Sequence, residues 1–253
     1  MSATERGRNR NALDPDDDAT QSYMANDSAF VEYTRLALAE FAGFDRSHRY
    51  MMVDAVGAEK AERVLDVGCG AGQQLLPFVE RKDSFCVGID ISEEVGNVGP
   101  KLFAELGFGG RSSFFPALGE DLPFADASFD VVICRVALPY MDNRKTIAEI
   151  ARVLRSGGKF FLKTHAPAFY LWMLKNRLSS LSIRQYAYPM ICLACGTLNL
   201  LTGRHPKGSF WKGKEVYQTK AFLQSELAKN NLRIVGELID SNIATPSFVI
   251  EKG

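Results

Sequence analysis

The chain contains the stretch VLDVGCGAG at residues 64–72. Residues 63–67 are mostly aliphatic and β-branched, a pattern typical of a short buried strand, and residues 73–81 have the pattern of a helix. Glycines occupy every second position between the two segments: Gly68, Gly70 and Gly72. Glycine allows a sharp turn and a close approach of the backbone to a ligand, and a helix start offers unpaired N–H groups. The stretch therefore predicts a ligand site between a strand and a helix.

The spacing of these glycines and a nearby carboxylate indicate the kind of ligand. A dinucleotide fold shows Gly-x-Gly-x-x-Gly with the pyrophosphate on the helix N-terminus, whereas here the third glycine comes one position earlier. Asp66 at the strand end would repel a diphosphate and suits an ammonium group. A second apolar strand, residues 85–89, ends in Asp90, which is well placed to accept hydrogen bonds from ribose hydroxyls.

Two further motifs follow in order along the chain, EDLPFADASFDVV at residues 120–132 and RVLRSGG at residues 152–158. With the glycine stretch they resemble class I S-adenosylmethionine-dependent methyltransferases, in particular the quinone-biosynthesis-like (methyltransferase type 11) branch. Ser156 stands where that branch usually has proline. The resemblance covers residues 63 to 163, and three ordered motifs are far more specific than one glycine loop.

The resemblance implies S-adenosyl-L-methionine as the cofactor and assigns residues to it. Asp66 is expected near the amino-acid end of the cofactor, and Asp90 is expected to hold the ribose diol. Ile91 is expected to pack against the adenine. The loop expected to flank the cofactor comprises Gly68, Cys69, Gly70 and Gly72, with the Cys69 thiol as a small packing group.

Two other cofactor contacts are less direct. An acidic residue usually reads the adenine amine just before the "E-x-LPF" motif, but Leu118 occupies that position here. Either Glu120 takes the amine or the Gly119 backbone alone reads the ring. Arg135 follows the fourth strand and is expected either to pair with the carboxylate of the methionine moiety or to be a solvated surface arginine.

Candidate catalytic residues lie just past the fourth and fifth strands. His165 follows the fifth strand, where side chains face the crevice of an open α/β sheet, and histidine titrates near physiological pH. It is either a general base or a hydrogen-bonded structural histidine. Tyr140 is the second candidate, and His48 and His205 occupy less informative positions. No Asn-Pro-Pro-Tyr signature of amino-group methylation of DNA or protein follows the fourth strand.

Composition narrows the partners and the compartment. Thirty basic and thirty acidic residues balance, so a nucleic-acid substrate is disfavoured. No apolar signal segment follows Met1, and the five cysteines lack framework spacing, which favours reduced thiols in the cytoplasm. Cys192 and Cys195 are either half of a metal or redox site or two packing residues. Packing is favoured because no second pair accompanies them, so no metal is expected.

The predicted fold is a Rossmann-like, doubly wound α/β sheet of seven mostly parallel strands, with a helical insertion after the fifth strand. Residues 1–22 are predicted to be a flexible tail and residues 23–253 a single methyltransferase domain. Within residues 23–60, helices at 27–43 and 46–56 are expected to cap the cofactor pocket and to bring Tyr23, Tyr33 or Tyr50 within reach of the substrate.

Three helical features remain. Residues 92–106 are expected to form a helix broken by Gly96, Gly99 and Pro100, and residues 142–154 a helix stopped by Gly157. The insertion, residues 166–213, is expected to be either a helical lid over the active site or an element that touches a membrane through residues 188–201.

The sequence thus predicts transfer of a methyl group to oxygen, nitrogen or carbon of a small-molecule or lipid-like acceptor. Two alternatives remain, a non-catalytic S-adenosylmethionine-binding protein and an RNA methyltransferase. A dehydrogenase fits the glycine spacing less well.

Overall fold

A computed structural model describes residues 36, 38–57, 60–91, 95–176, 183–203 and 214–253. The predicted tail, Tyr23, Tyr33 and the predicted helix start at Asp27 lie outside these residues. The helices are α1 (Arg46–Arg49), α2 (Met51–Val56), α3 (Leu76–Arg81), α4 (Val95–Glu105), α5 (Asn143–Val153), α6 (Pro167–Asn176), α7 (Ile183–Thr202) and α8 (Lys220–Lys229). The strands are β1 (Arg63–Val67), β2 (Phe85–Asp90), β3 (Ser112–Pro116), β4 (Phe129–Arg135), β5 (Leu154–Lys163), β6 (Leu232–Glu237) and β7 (Ser247–Lys252).

The strands form one seven-stranded sheet in the order β3-β2-β1-β4-β5-β7-β6. The first five strands in this order are parallel, and β7 runs antiparallel to both β5 and β6. The predicted fold class is therefore confirmed. The order reverses beside β1, and in such open sheets a ligand crevice lies outside the carboxyl ends of the strands at this point.

Both faces of the sheet are covered, as parallel strands require. Successive side chains of a strand point to opposite faces, so Val64, Val131 and Ile133 pack into one apolar cluster. Their neighbours Leu65 and Val132 pack into the other. These strands therefore read as continuous apolar runs in the sequence rather than as alternating ones.

Several helix boundaries differ from the expectation. The segment 46–56 forms two short helices that meet at Tyr50 rather than one. Helix α5 begins one residue later than predicted, at Asn143, because Asp142 is its N-cap: the Asp142 carboxylate accepts from the Lys145 N–H. The helix ends at Val153. Gly157 does not stop that helix: it lies within β5 at a φ of +76°, next to a shift in register against β4.

The expected break in the helix at residues 92–106 is wrong for its described part. Helix α4 is continuous from Val95 to Glu105 with Pro100 inside it. The reason for one of its glycines is packing: a Cβ on Gly99 would lie 2.7 Å from the ring of Phe114. Two other glycines approach the same ring, since Cβ atoms at Gly72 and Gly88 would lie 2.6 Å and 2.5 Å from it.

The insertion after β5 contributes helices α6 and α7, which pack on each other. Tyr170 and Cys192 are buried between them and the segment that contains Tyr217. Cys192 and Cys195 are buried thiols, and burial raises the pKa of Cys195 to about 11. Among the described helices none has the length and apolar character needed to cross a membrane.

Replacing Gly99 with alanine tests the Phe114 contact. In a helix, alanine is normally more stable than glycine by about 1 kcal/mol, but here the added methyl group collides with a ring held by two other glycines. We expect Gly99→Ala to lower the free energy of unfolding by about 1–3 kcal/mol, measured by urea denaturation. Gly110→Ala is the matched control, because no heavy atom lies within 4 Å of its Cβ position. A Gly99→Ala protein as stable as the control would contradict this packing.

Candidate active site

A cavity of about 690 Å³ opens at the carboxyl ends of β1, β2, β4 and β5. Its polar lining includes Asp66, Asp90, Arg135, Lys163 and Asp240. Its apolar lining includes Phe41, Phe44, Val136, Ala137 and Met141. The location matches the ligand crevice expected for this sheet order.

The glycine turn after β1 forms one wall of this cavity. Gly68 and Gly70 have φ angles of +77° and +52°, in the left-handed region that glycine enters without strain. A Cβ on Gly68 would lie 2.3 Å from the Cβ of Ala137, whereas a Cβ on Gly70 would meet only Gln73, at 3.9 Å. Gly68 is therefore required for the approach of the loop after β4, and Gly70 leaves space open towards the cavity.

Gly72 has a different role from the one expected. It does not line the cavity, and its Cβ position is filled by the ring of Phe114. The glycine at the third position therefore serves the packing of α4 and β3, and its placement gives no support to the predicted cofactor contact.

Asp66 is buried at the base of the cavity, with 1% of its surface exposed. Its Oδ2 atom is buried without a hydrogen-bond partner. Burial, together with the charge of Asp90, raises the pKa of Asp66 to about 8. An unpartnered buried carboxylate is costly, and a cationic ligand group beside it would supply the missing partner.

Asp90 and two other predicted cofactor contacts also line the cavity. An oxygen of Asp90 accepts from the Gly70 N–H at 3.2 Å, which ties the carboxylate to the glycine turn. Ile91 forms an apolar ledge with 75% of its surface exposed. The Cys69 thiol is buried, and burial raises its pKa well above the usual range, so it is a neutral packing group.

Gly119 and Glu120 do not line the cavity. The Glu120 carboxylate accepts from the backbone N–H of Asp142 at 2.8 Å, just before α5 begins. Gly119 is buried, and a Cβ there would lie 2.8 Å from the sulfur of Met141. The predicted contact of Glu120, or of the Gly119 backbone, with the adenine amine stays a prediction, and the positions of these two residues do not support it.

Arg135 is not a solvated surface arginine, since only 9% of its side chain is exposed. It forms an ion pair with Asp240 and donates to the Ser247 hydroxyl at 3.2 Å. Lys163, its neighbour on β5, donates to the same Asp240 oxygen at 2.7 Å. The predicted contact between Arg135 and the methionine carboxylate stays a prediction.

A buried carboxylate, Glu215, connects the two predicted catalytic residues. It accepts from the hydroxyls of Tyr140 at 2.9 Å and Tyr170 at 2.7 Å. It also accepts from the Tyr188 hydroxyl and the His165 Nδ1. Burial alone would raise the pKa of Glu215, but these hydrogen bonds, with that from His165 foremost, hold it at about 2.

The two candidates therefore occupy different places. Tyr140 lines the cavity. His165 does not: it is 8% exposed and stacks on Phe169, with ring centroids 3.9 Å apart. Because an ionised carboxylate only accepts, Nδ1 carries the proton in this contact. His165 thus reaches the cavity only through Glu215 and Tyr140.

Some residues that line the cavity were not predicted as site residues from the sequence. His48 lies at the cavity beside Phe41 and Phe44, and its Nδ1 is 3.0 Å from Asp45. The helical segment that contains Phe41 contributes to the cavity wall, whereas Tyr50 does not line the cavity and donates to Glu80 at 2.7 Å. The cap over the cofactor pocket stays a prediction. The sequence contains one indication that Glu215 is unusual: it is the first acidic residue after Glu149.

Metal-binding potential is limited in the described part of the chain. No group of three or more His, Cys, Asp or Glu side chains there is arranged to hold a metal ion. Cys192 lies against Tyr170 and Tyr217, in keeping with packing.

Stability as a function of pH tests the environment of Asp66. The folded-state pKa of about 8 lies above the ordinary value of 3.8, so the folded protein holds this proton more tightly than the unfolded chain. Its contribution is therefore full below about pH 4 and is lost as the pH rises towards 8. Asp66→Asn removes this loss, so its stability relative to wild type should rise by about 1–3 kcal/mol between pH 5 and pH 8.

Urea unfolding at several pH values measures this difference. Asp121→Asn, at an exposed aspartate, is the control and should parallel wild type throughout. A difference between Asp66→Asn and wild type that does not change with pH would show that Asp66 is ionised in the folded protein across this range.

Comparison with known proteins gives the family. The model of the methyltransferase domain matches residues 65–162. The uncharacterised methyltransferase YcgJ of Bacillus subtilis is 32% identical over 146 residues, 56% of either chain. The ubiquinone/menaquinone biosynthesis C-methyltransferase UbiE of Geotalea daltonii is 34% identical over 134 residues, 51% of this chain and 57% of its own. The chain thus spans somewhat over half the length of these curated relatives.

Solved structures agree on the fold. The YcgJ crystal structure superposes with a TM-score of 0.53 at 27% identity, covering 75% of this chain and 71% of its own. Geranyl diphosphate C-methyltransferase from Streptomyces coelicolor, 13% identical, superposes with a TM-score of 0.59 over 92% and 86% of the two chains and shows the same fold. With its three motifs on one doubly wound sheet, the chain contains a methyltransferase domain over residues 65–162, with the fold of the class I S-adenosylmethionine-dependent methyltransferases.

Proposed function

We propose that this protein transfers the methyl group of S-adenosylmethionine to oxygen, nitrogen or carbon of a small organic acceptor. The observation that carries the proposal is the buried Asp66 oxygen without a partner, at the base of a cavity bounded by the Gly68–Gly70 turn and Asp90. The relatives compared above, which include a C-methyltransferase of quinone biosynthesis, support the same reaction.

The residues present fit this cofactor. The ammonium group of the methionine moiety would complete the hydrogen bonding of Asp66, and a positive ligand charge would favour its ionised form. Asp90 would take the ribose hydroxyls while Gly70 holds it in place. Ile91 would cover one face of the adenine. The bound cofactor supplies an electrophilic methyl group on its sulfonium.

The acceptor side is formed by Tyr140 and the apolar lining. The Tyr140 hydroxyl donates to Glu215, and a hydroxyl oxygen can also accept a hydrogen bond, which suits contact with an O–H or N–H group of the acceptor. The ionised Glu215 is too weak a base to remove the Tyr140 proton. Tyr140 thus orients the acceptor rather than deprotonating it, and positioning is the main contribution to such a displacement. His165 and Glu215 are positioning residues in this scheme.

Cofactor binding and methyl transfer are measured separately to test the proposal. Asp90→Asn keeps an oxygen for the Gly70 N–H but loses the charge, and we expect S-adenosylmethionine to bind about 10–100-fold more weakly by calorimetry. Asp121→Asn should bind as wild type does. Tyr140→Phe should bind the cofactor normally but form S-adenosylhomocysteine at least about tenfold more slowly with any acceptor found in a small-molecule screen.

The outcomes separate the alternatives. No cofactor binding by the wild-type protein would contradict the proposal. Binding without product across small molecules and RNA would favour a non-catalytic binding protein, and product with RNA alone would favour an RNA methyltransferase. If Asp90→Asn binds as tightly as wild type, the assignment of the ribose site is wrong.

The insertion has two surfaces with different consequences. On its inner surface, the hydroxyls of Tyr170 and Tyr188 donate to Glu215, the carboxylate that also accepts from Tyr140. The insertion therefore fixes the position of Tyr140 through Glu215. None of its described residues lines the cavity, and we propose that it supports the Tyr140 wall of the acceptor site through Glu215 rather than covering the glycine turn. Its outer surface carries exposed apolar side chains, which favours a second role as a peripheral membrane contact. These are Leu171, Trp172, Met190, Leu198 and Leu201.

Vesicle sedimentation tests this second role. With vesicles of phosphatidylcholine and phosphatidylglycerol, we expect wild type to co-sediment and the double variant Met190→Glu/Leu201→Glu to lose most of its binding. Ile243→Glu is the control, since Ile243 is at least as exposed as Met190 and Leu201 but lies outside the insertion. No sedimentation of wild type, or equal loss with the control, would leave the insertion only as a support of the acceptor site.

A further inference from the structure

Two cations share one carboxylate on the β4–β5 side of the cavity. Arg135 and Lys163 are paired in register at the ends of these strands. Both contact the same Oδ2 atom of Asp240, and Lys163 also donates to the Asp240 carbonyl oxygen at 3.3 Å. All three residues line the cavity, with 9%, 18% and 14% of their side chains exposed.

The charges of this group do not balance. Burial would raise the pKa of Asp240, but Arg135 and Lys163 lower it overall, so its carboxylate is ionised. Within this group two positive charges face one negative charge; the other carboxylates of the cavity lining are Glu40, Asp66 and Asp90, and Asp66 lies on the strand next to Arg135. A partly desolvated charge of this kind is costly unless an opposite charge accompanies it.

Arg135 lies on the strand next to the Asp66 strand, whereas Lys163 lies one strand further from the expected cofactor residues. Across the sheet the order is β2, β1, β4 and β5, which carry Asp90, Asp66, Arg135 and Lys163 respectively. Neighbouring strands are about 4.8 Å apart, so Lys163 lies three strands, about 14 Å, from the Asp90 strand. Lys163 is therefore the charged group furthest from the ribose site among these four strands.

The surroundings of the pair suit an amphiphilic ligand. Val136, Ala137 and Met141 follow Arg135 and line the same cavity, as do Phe41 and Phe44 on the segment before α1. A ligand that places an apolar body against these side chains can place an anionic end on the cations. Guanidinium and ammonium groups together are well suited to a carboxylate or a phosphate.

We propose that Arg135 and Lys163 bind an anionic group of the methyl acceptor, so that the substrate is an apolar organic acid or a phosphate ester. This inference rests on the proposed function, because it assigns the β4–β5 side of the cavity to the acceptor. The Asp240 carboxylate pairs with both cations and so orders them before the ligand arrives.

Calorimetry with matched probes tests the proposal. Wild-type protein saturated with S-adenosylhomocysteine is titrated with octanoate, octyl phosphate and the neutral octanamide. We expect at least one anion to bind tenfold or more tightly than octanamide. Whether octanoate or octyl phosphate binds more tightly identifies the carboxylate or the phosphate as the preferred group.

Variants at Lys163 connect the preference to the structure. Lys163→Met should lower the affinity for the anion about tenfold while leaving octanamide unchanged, and Lys163→Arg should restore it. Lys145→Met, at an exposed lysine on α5, should behave as wild type. Thermal melting of each variant confirms that it is folded, and Lys163→Arg keeps the test valid if Lys163→Met is unstable.

Three results would overturn the inference. These are equal binding of anions and octanamide, no binding of either anion to wild type, and an anion affinity that Lys163→Met leaves unchanged. If Lys163→Met instead weakens S-adenosylhomocysteine itself, the pair serves the cofactor. Failure of wild type to bind S-adenosylhomocysteine at all is a separate result, which contradicts the proposed function.

Discussion

A buried carboxylate oxygen without a protein partner, on Asp66, is the constraint on which the rest of this site depends. The strand that holds it is buried on both faces, so water cannot solvate the charge. Asp90 on the neighbouring strand makes ionisation still less favourable. A fold tolerates such a group when another requirement outweighs its cost. Under the proposed function this requirement is a cationic ligand group, and Asp90 and Gly70 line the same cavity.

The glycines of the leading motif divide between ligand and core. Because Gly68 and Gly72 have no side chain, they leave room for Ala137 and for the ring of Phe114 respectively, whereas Gly70 leaves space open towards the cavity. Phe114 also occupies the Cβ positions of Gly88 and Gly99, which lie on different elements. One aromatic ring thus sets how closely α4, β2 and the glycine turn approach each other. The position of the turn relative to Asp90 depends on this packing as much as on backbone freedom.

Features that depend on neighbouring residues in the chain can be predicted from the sequence, whereas contacts between distant segments cannot. Strand identity and sheet class are readable because an apolar run such as residues 85–89 is a local signal, and Asp66 and Asp90 follow directly from such runs. Gly72 packs against Phe114, which is more than forty residues away in the chain, so no local pattern could show this contact. The break predicted at Gly96, Gly99 and Pro100 is wrong, and the contact of Gly99 with Phe114 also joins two separate elements.

The same limit applies to charged residues. His48, Lys163 and Asp240 have no local motif, and only the sheet order brings the last two together with Arg135. Glu215 is a sharper case, since its meaning depends on four donors from three separate segments. Glu215 connects the two predicted catalytic residues, His165 and Tyr140, but no short sequence motif indicates Glu215.

This arrangement separates the part of the site that is common to the family from the part that distinguishes this chain. The family model covers residues 65–162, which end just before Lys163. Lys163 and Asp240 lie beyond it and line the β4–β5 side of the cavity, whereas His165, Glu215 and the insertion lie behind Tyr140. The cofactor half therefore faces a wall lined by residues of the segment 135–141, Lys163 and Asp240, with Glu215 and the insertion behind it. The Tyr140 hydroxyl donates to Glu215, which also accepts from tyrosines of the insertion. We therefore expect changes in the insertion to alter acceptor recognition without disturbing Asp66 or Asp90.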